Sequence, residues 1–184
     1  MEQATKKKIL IWIAAIAGFL LLLALIWLII FNAQFKTYKD SVNRFSIRYP
    51  GAWDIFPNPE TGAAVAFVSK KENALDTFRE NVNISIQELP ETVSLKALTD
   101  TIVLQMTKVF PNVAVAQSLP IDFGNRKGQQ ILFAVDKPDR LRILTVWTIK
   151  GGSKAYILTY MSTAKNYPVY LPFVAVMVKS FDLN

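Results

Sequence analysis

The chain of 184 residues contains neither histidine nor cysteine and carries a net charge of +7. Those two absences remove Ser-His-Asp and Cys-His nucleophile systems, argue against the common zinc sites, and exclude disulfides and a lipidated-cysteine anchor. The basic residues are scattered: Glu2 with Lys6, Lys7 and Lys8 supplies +2 and the rest +5, and only pairs such as Lys70-Lys71 and Arg126-Lys127 cluster, so no nucleic-acid-binding face is predicted.

Residues 1–8 form a short basic tail ending in Lys6-Lys7-Lys8, directly before Ile9–Phe31, a run of 23 residues without a charge. At ~1.5 Å rise per residue a helix of that length spans about 34 Å, enough for a ~30 Å hydrocarbon core with some tilt. The run is longer than the ~7–15 residues of a signal-peptide core, and its end, Phe31-Asn32-Ala33-Gln34, is a poor cleavage site. It is apolar all round, whereas a core helix keeps a polar stripe. Trp12 and Trp27 stand toward its two ends, where interfacial indoles sit. Residues 9–31 are therefore read as an uncleaved, single-pass transmembrane anchor. The positive-inside rule puts Lys6, Lys7 and Lys8 in the cytoplasm and the rest of the chain outside it, although Lys36, Lys39 and Arg44 nearly balance the count. The anchor has no G-x-x-x-G motif, hence no dimerisation signal of that kind.

Residues 32–43 are polar and aperiodic and read as a juxtamembrane linker, reaching at most about 40 Å at ~3.4 Å per residue. Residues 44–184 have the length of one globular domain with an adequate core. Its first strand is Phe45, Ile47 and Tyr49 alternating with Ser46 and Arg48, broken by Pro50-Gly51. Ala52–Ile55 can start a second strand, residues 56–62 read as loop, Ala63–Ser69 as a buried strand, and Lys70–Thr77 as an exposed charged loop. Glu80–Glu88 alternates, with Val82, Ile84 and Ile86 on one face. Asn83-Ile84-Ser85 matches a glycosylation sequon but lies mid-strand rather than in a loop. Ser94 caps a predicted helix over 95–109, whose stripe is Leu98, Ile102, Met106 and Val109 and which Pro111 stops. Strands continue at 113–119, 129–135, 141–150 and 154–162, with turns at 124–128 and 136–140 and a hairpin at Gly151-Gly152-Ser153. Leu141, Ile143, Trp147 and Ile149 share one face. The chain closes with a helix entered through Pro168 and Pro172, regular from about 171 to 179, with Val174, Met177, Val178 and Phe181 covering the sheet. Short connections favour antiparallel pairing. The predicted architecture is an α+β fold, a central, mainly antiparallel sheet of about six strands flanked by helices, after one transmembrane helix.

Three stretches resemble the PsbP family in order. FSIRYPGAW is similar to its opening Phe-x-hydrophobic-x-Tyr-Pro-x-x-Trp strand, through Phe45, Tyr49, Pro50 and Trp53. ENVNISIQEL resembles its asparagine-containing middle strand, through Asn83, and the stretch from Ala155 to Phe181 its last strand and closing helix, through Tyr156 and Phe181. The resemblance implies a PsbP-like α/β/α sandwich. Its best-known members are non-enzymatic extrinsic subunits of photosystem II that help retain calcium and chloride. It transfers no binding residue here, because any histidine contact of the family has no counterpart in this chain.

No catalytic, cofactor-binding or metal-binding residue is predicted. The carboxylate pairs that could serve a hydrolase, Asp54 with Glu60 and Asp136 with Asp139, fall in loops and read as solvated turn residues. The loops at 57–62, 70–77 and 136–140 carry the most polar surface and are where a binding face is expected. The expectation is a membrane-anchored, non-enzymatic, extracytoplasmic interaction module, an accessory or assembly subunit of a membrane complex. The alternative is a tethered domain that binds a small ligand or lipid, suggested by Trp53, Trp147, Tyr156 and Tyr160.

Overall fold

The computed structural model describes residues 2–60, 62–90, 93–136 and 140–183, and only the backbone of residues 2–10 and 14. The side chains of Lys6, Lys7, Lys8 and Ile9, and all of Thr61, Lys137, Pro138 and Asp139, thus lie outside the described residues. Residues 1–35 and 36–184 are separate compact units.

The first unit is one helix, α1 (Glu2–Ala33). Residues 11–33 are long and apolar enough to cross a membrane, and none of this stretch is buried. Trp12 and Trp27 are exposed, and Trp27 stacks on Phe31 with ring centroids 5.3 Å apart.

Among the described residues the second unit holds ten strands and two helices. In chain order these are β1 (Phe35–Asp40, beginning one residue before the boundary), β2 (Phe45–Pro50), β3 (Asp54–Pro57), β4 (Val65–Val68), β5 (Asn81–Glu88), α2 (Leu95–Val109), β6 (Val113–Phe123), β7 (Arg126–Val135), β8 (Leu141–Lys150), β9 (Lys154–Thr163), α3 (Tyr167–Ser180) and β10 (Asp182–Leu183). The α+β class, with antiparallel sheets flanked by helices, is as the sequence predicts. The strands form two sheets rather than one: a seven-stranded sheet ordered β3-β4-β5-β9-β8-β7-β6 and a three-stranded sheet ordered β1-β2-β10. The second sheet uses residues 35–40, from the stretch read as linker. That strand is charged and mostly exposed, as an edge strand can be, so it shows no alternation. Its inward side chain is Tyr38, against Phe45 and Phe67. β10 pairs Asp182 with Ser46 and Leu183 with Phe45.

Each face of the large sheet carries a core cluster. Val82, Ile84, Val146, Leu158 and Tyr160 join β2 and α3 in one core cluster, while Ile131, Phe133, Ile143 and Trp147 join Leu98 and Ile102 of α2 in another. α2 spans the predicted residues and is capped as predicted, the Ser94 hydroxyl accepting from the Ala97 N–H at 3.1 Å.

α3 starts four residues before its predicted regular part, and Pro172 lies inside it. The missing N–H costs one ladder bond close to the first turn, where Val169 and Tyr170 already donate to the Asn166 carbonyl at 2.9 and 3.2 Å. β6 and β7 run further than predicted and meet at a two-residue turn, Gly124-Asn125. Both residues have positive φ, +61° and +59°, the hairpin geometry that lets strands continue to the turn.

Candidate functional site

The seven family-motif residues lie in or beside the core. Phe45, Tyr49, Trp53, Tyr156 and Phe181 are all buried in the cluster shared by β2, α3 and the large sheet. Phe181 stacks on Phe123 at 4.3 Å and on Phe45 at 5.4 Å, and Tyr49 on Phe67 at 5.0 Å. Trp53 meets Tyr170 edge-on at 5.9 Å. The Tyr156 hydroxyl donates to the Asn43 carbonyl at 2.9 Å. Pro50 ends β2, its carbonyl accepting from the Trp53 N–H at 2.9 Å. Asn83 is half-buried in mid-strand and donates to the Asn81 side chain at 3.0 Å. These contacts are packing and turn formation rather than a reactive constellation.

Two of the acids singled out from sequence, Asp54 and Asp136, are engaged in surface pairs. Asp54 accepts hydrogen bonds from Lys70 and Arg79, which hold its carboxyl below the usual carboxylate range in that order of importance. Asp136 pairs with Arg142 at 3.4 Å; its proposed companion Asp139 is outside the described residues. Glu60 is exposed. Among the described residues no group of three or more His, Cys, Asp or Glu side chains could hold a metal ion.

One buried acid is not among the residues singled out from sequence. Glu80 has 0% of its surface exposed, and its two carboxylate oxygens accept from the hydroxyls of Ser69 and Ser162, each at 3.4 Å. Tyr160 lies nearby, its hydroxyl pushed far up by burial, with the Glu80 charge adding to the effect. Tyr170, raised chiefly by burial, donates to Glu72 at 3.4 Å, and Asn166 donates to the same oxygen at 2.9 Å. This polar cluster lies under the start of α3. Glu80 itself is sealed from solvent, while Glu72 at the outer end of the cluster is exposed.

An open groove of about 490 Å³ lies on the other flank of α3, above β6, β7 and β8. Leu171, Ala175 and Val178 form one wall, and Ile121 and Leu144 lie opposite. Gln117, Gln130, Asp122 and Lys179 add polar groups. Facing side chains are set by register: Gln117 opposes Leu132, Leu119 opposes Gln130, and Leu132 opposes Leu144. The loops where a binding face is expected from sequence do not form this groove. Its residues read as strand and covering helix, and only three-dimensional packing separates the flank of α3 that seals the core from the flank that does not.

The PsbP family model matches residues 33–183. No curated protein matches the chain. Among solved structures, cyanobacterial PsbP from Synechocystis shares 18% identity over 83% of this chain and 94% of its own, with a TM-score of 0.64. LpqN of Mycobacterium tuberculosis, described as involved in cell envelope biogenesis, shares 11% over 82% and 91%, with a TM-score of 0.62. The Ran-binding protein Mog1p of Saccharomyces cerevisiae shares 10% over 81% and 95%, with a TM-score of 0.54. At these identities the likeness is one of fold.

Proposed function

This chain belongs to the PsbP family, and from that premise we propose that it is a membrane-anchored, non-enzymatic accessory module that docks its PsbP-like domain onto a membrane protein complex outside the cytoplasm. One observation carries the reading: a helix of spanning length with no buried residue is joined to a domain in which Asp54 and Asp136 are held in ion pairs and the buried acid Glu80 is sealed from solvent. Apolar side chains along 23 helical residues exposed to water would cost far more than a soluble helix tolerates, and a bilayer removes that cost. Lys6, Lys7 and Lys8 support a cytoplasmic N-terminus. PsbP proteins act in protein complexes, which supports a subunit role over an enzymatic one.

The test is crosslinking in cells followed by affinity purification of the full-length chain from membranes. The expected result is one recurrent, near-stoichiometric membrane protein, with crosslinks on residues 36–183. A chain that runs alone in mild detergent under every condition refutes the subunit role. Protease added to spheroplasts is expected to digest the domain; protection until lysis reverses the orientation.

A further inference from the structure

We propose that the groove between α3 and the β6–β7–β8 face binds a single-chain anionic lipid of the fatty-acid type, the hydrocarbon chain lying along α3 and the carboxylate at Lys179. The argument starts from the wall. Tyr167, Leu171, Ala175 and Val178 recur at steps of four, four and three, so they form one stripe along the helix. With Lys179 one residue further on, the stripe runs about 18 Å at ~1.5 Å per residue. The groove therefore has one wall that runs lengthwise along α3. Its apolar lining is continued opposite by Ile121 and Leu144, and its volume lies in the range of small-molecule sites.

The polar groups are few. The side chains of Gln117, Gln130 and Lys179 form no hydrogen bond or ion pair among the described residues. Lys179 sits at one end of the stripe. Asp122, also at the rim, is engaged by Lys127 at 2.8 Å, both side chains well exposed, which leaves the ammonium of Lys179 without a partner of its own among the described residues. A groove with an apolar body and one uncompensated cation at its end complements a molecule with an apolar chain and one anionic head. A nucleotide or polyphosphate brings several negative charges to a single cation, and a neutral hydrocarbon leaves Lys179 without a partner. A bilayer beside a chain anchored as proposed above is the source of such a ligand, but the groove's chemistry does not depend on the anchor.

The experiment uses the full chain in phosphatidylcholine nanodiscs. A palmitic acid carrying a mid-chain diazirine, and the matching alcohol, are added separately and irradiated, and labelled peptides are mapped by mass spectrometry. Label on residues 11–33 serves as the internal standard. The acid is expected to label the groove walls about fivefold more than the alcohol, the upper value of one solvent-exposed ion pair. Lys179→Gln, an exposed substitution, is expected to bring that ratio to about one. Ala175→Trp, also on the exposed side of α3, fills the groove and is expected to remove its label while residues 11–33 label as before. Label confined to residues 11–33, equal groove labelling by acid and alcohol, or groove labelling unchanged by Lys179→Gln would overturn the proposal. None of these results bears on whether a protein partner is captured.

Discussion

Phe181 is where four elements of the domain meet, and Phe181→Ala tests whether the core is built as described. The residue comes directly after α3 and is 3% exposed. Its ring packs on Phe123 at the end of β6, on Phe45 of β2 and, at 6.2 Å, on Tyr156 of β9. Truncating a buried phenylalanine costs about 3–5 kcal/mol, the larger values falling where neighbours cannot close the cavity. The neighbours here are rings held by three different strands, so collapse is restricted and a loss of about 4 kcal/mol is expected, a large part of the roughly 5–15 kcal/mol typical of whole domains. In urea, with a slope near ~2 kcal/mol per molar, the midpoint falls by about 2 M. The assay is urea unfolding of the full chain in mild detergent, monitored by the fluorescence of Trp53 and Trp147, which are buried in the domain; Trp12 and Trp27 give a constant background. Val169→Ala, at a residue 58% exposed on the same helix, is the control and should change stability by less than about 0.5 kcal/mol. A loss below about 1.5 kcal/mol for Phe181→Ala, no more than the burial of a small aliphatic side chain, would refute the four-element core.

Gly128→Ala should destabilise by about 3 kcal/mol, seen as faster amide exchange in β7 and β8, because a Cβ there would stand 2.3 Å from the Trp147 carbonyl oxygen, a backbone atom of the paired strand. Thr145→Val should raise stability by about 1 kcal/mol in the same urea assay, since the Thr145 hydroxyl is buried without a hydrogen-bond partner among the described residues; a loss would mean the hydroxyl is satisfied. Alkaline pH should destabilise the domain. Burial raises Tyr160 well above the ordinary value of 10.0, so above that pH the unfolded chain loses a proton the native one keeps, and Tyr160 alone removes stability at about 1.4 kcal/mol per pH unit. Tyr160→Phe should flatten the decline measured from about pH 9 to 11; an unchanged slope would mean that Tyr160 does not contribute to it.

Sequence reveals what local pattern determines. Ser94 and the spacing of Leu98 and Ile102 set α2, because a cap and a buried stripe are short-range features. The predicted stripe extends one residue too far: Val109, in the last turn, is 67% exposed, since the helix there has passed the sheet it covers. The alternation of β5 and the Gly151-Gly152 hairpin are legible for the same reason. β1 and β10 are not. A charged strand and a two-residue strand carry no period, and they exist because β2 offers hydrogen bonds to both. Glu80 is illegible in another way. The alternation puts Glu80 in phase with Val82 and Ile84, but no local feature shows that a charge can be buried there, and only serines 11 and 82 positions away make its burial possible.

The groove follows from the width of the large sheet, which its cover on one face does not match. Six spacings of ~4.8 Å make the seven-stranded sheet about 29 Å wide, whereas a three-stranded sheet and one helix cover only about 20 Å of it. On the opposite face α2 lies over β7 and β8, with Leu98 and Ile102 packed toward Trp147. On the near face α3 turns Val174 and Met177 into the core beside β2. Its other flank then stands above β6, β7 and β8 with no layer beyond it among the described residues. A sheet wider than its cover must leave an opening at one edge. It opens toward β6, whose residues 114–120 are exposed and whose stretch 113–121 has no charge. The β6 side is therefore where label from a lipid lying in the groove should fall.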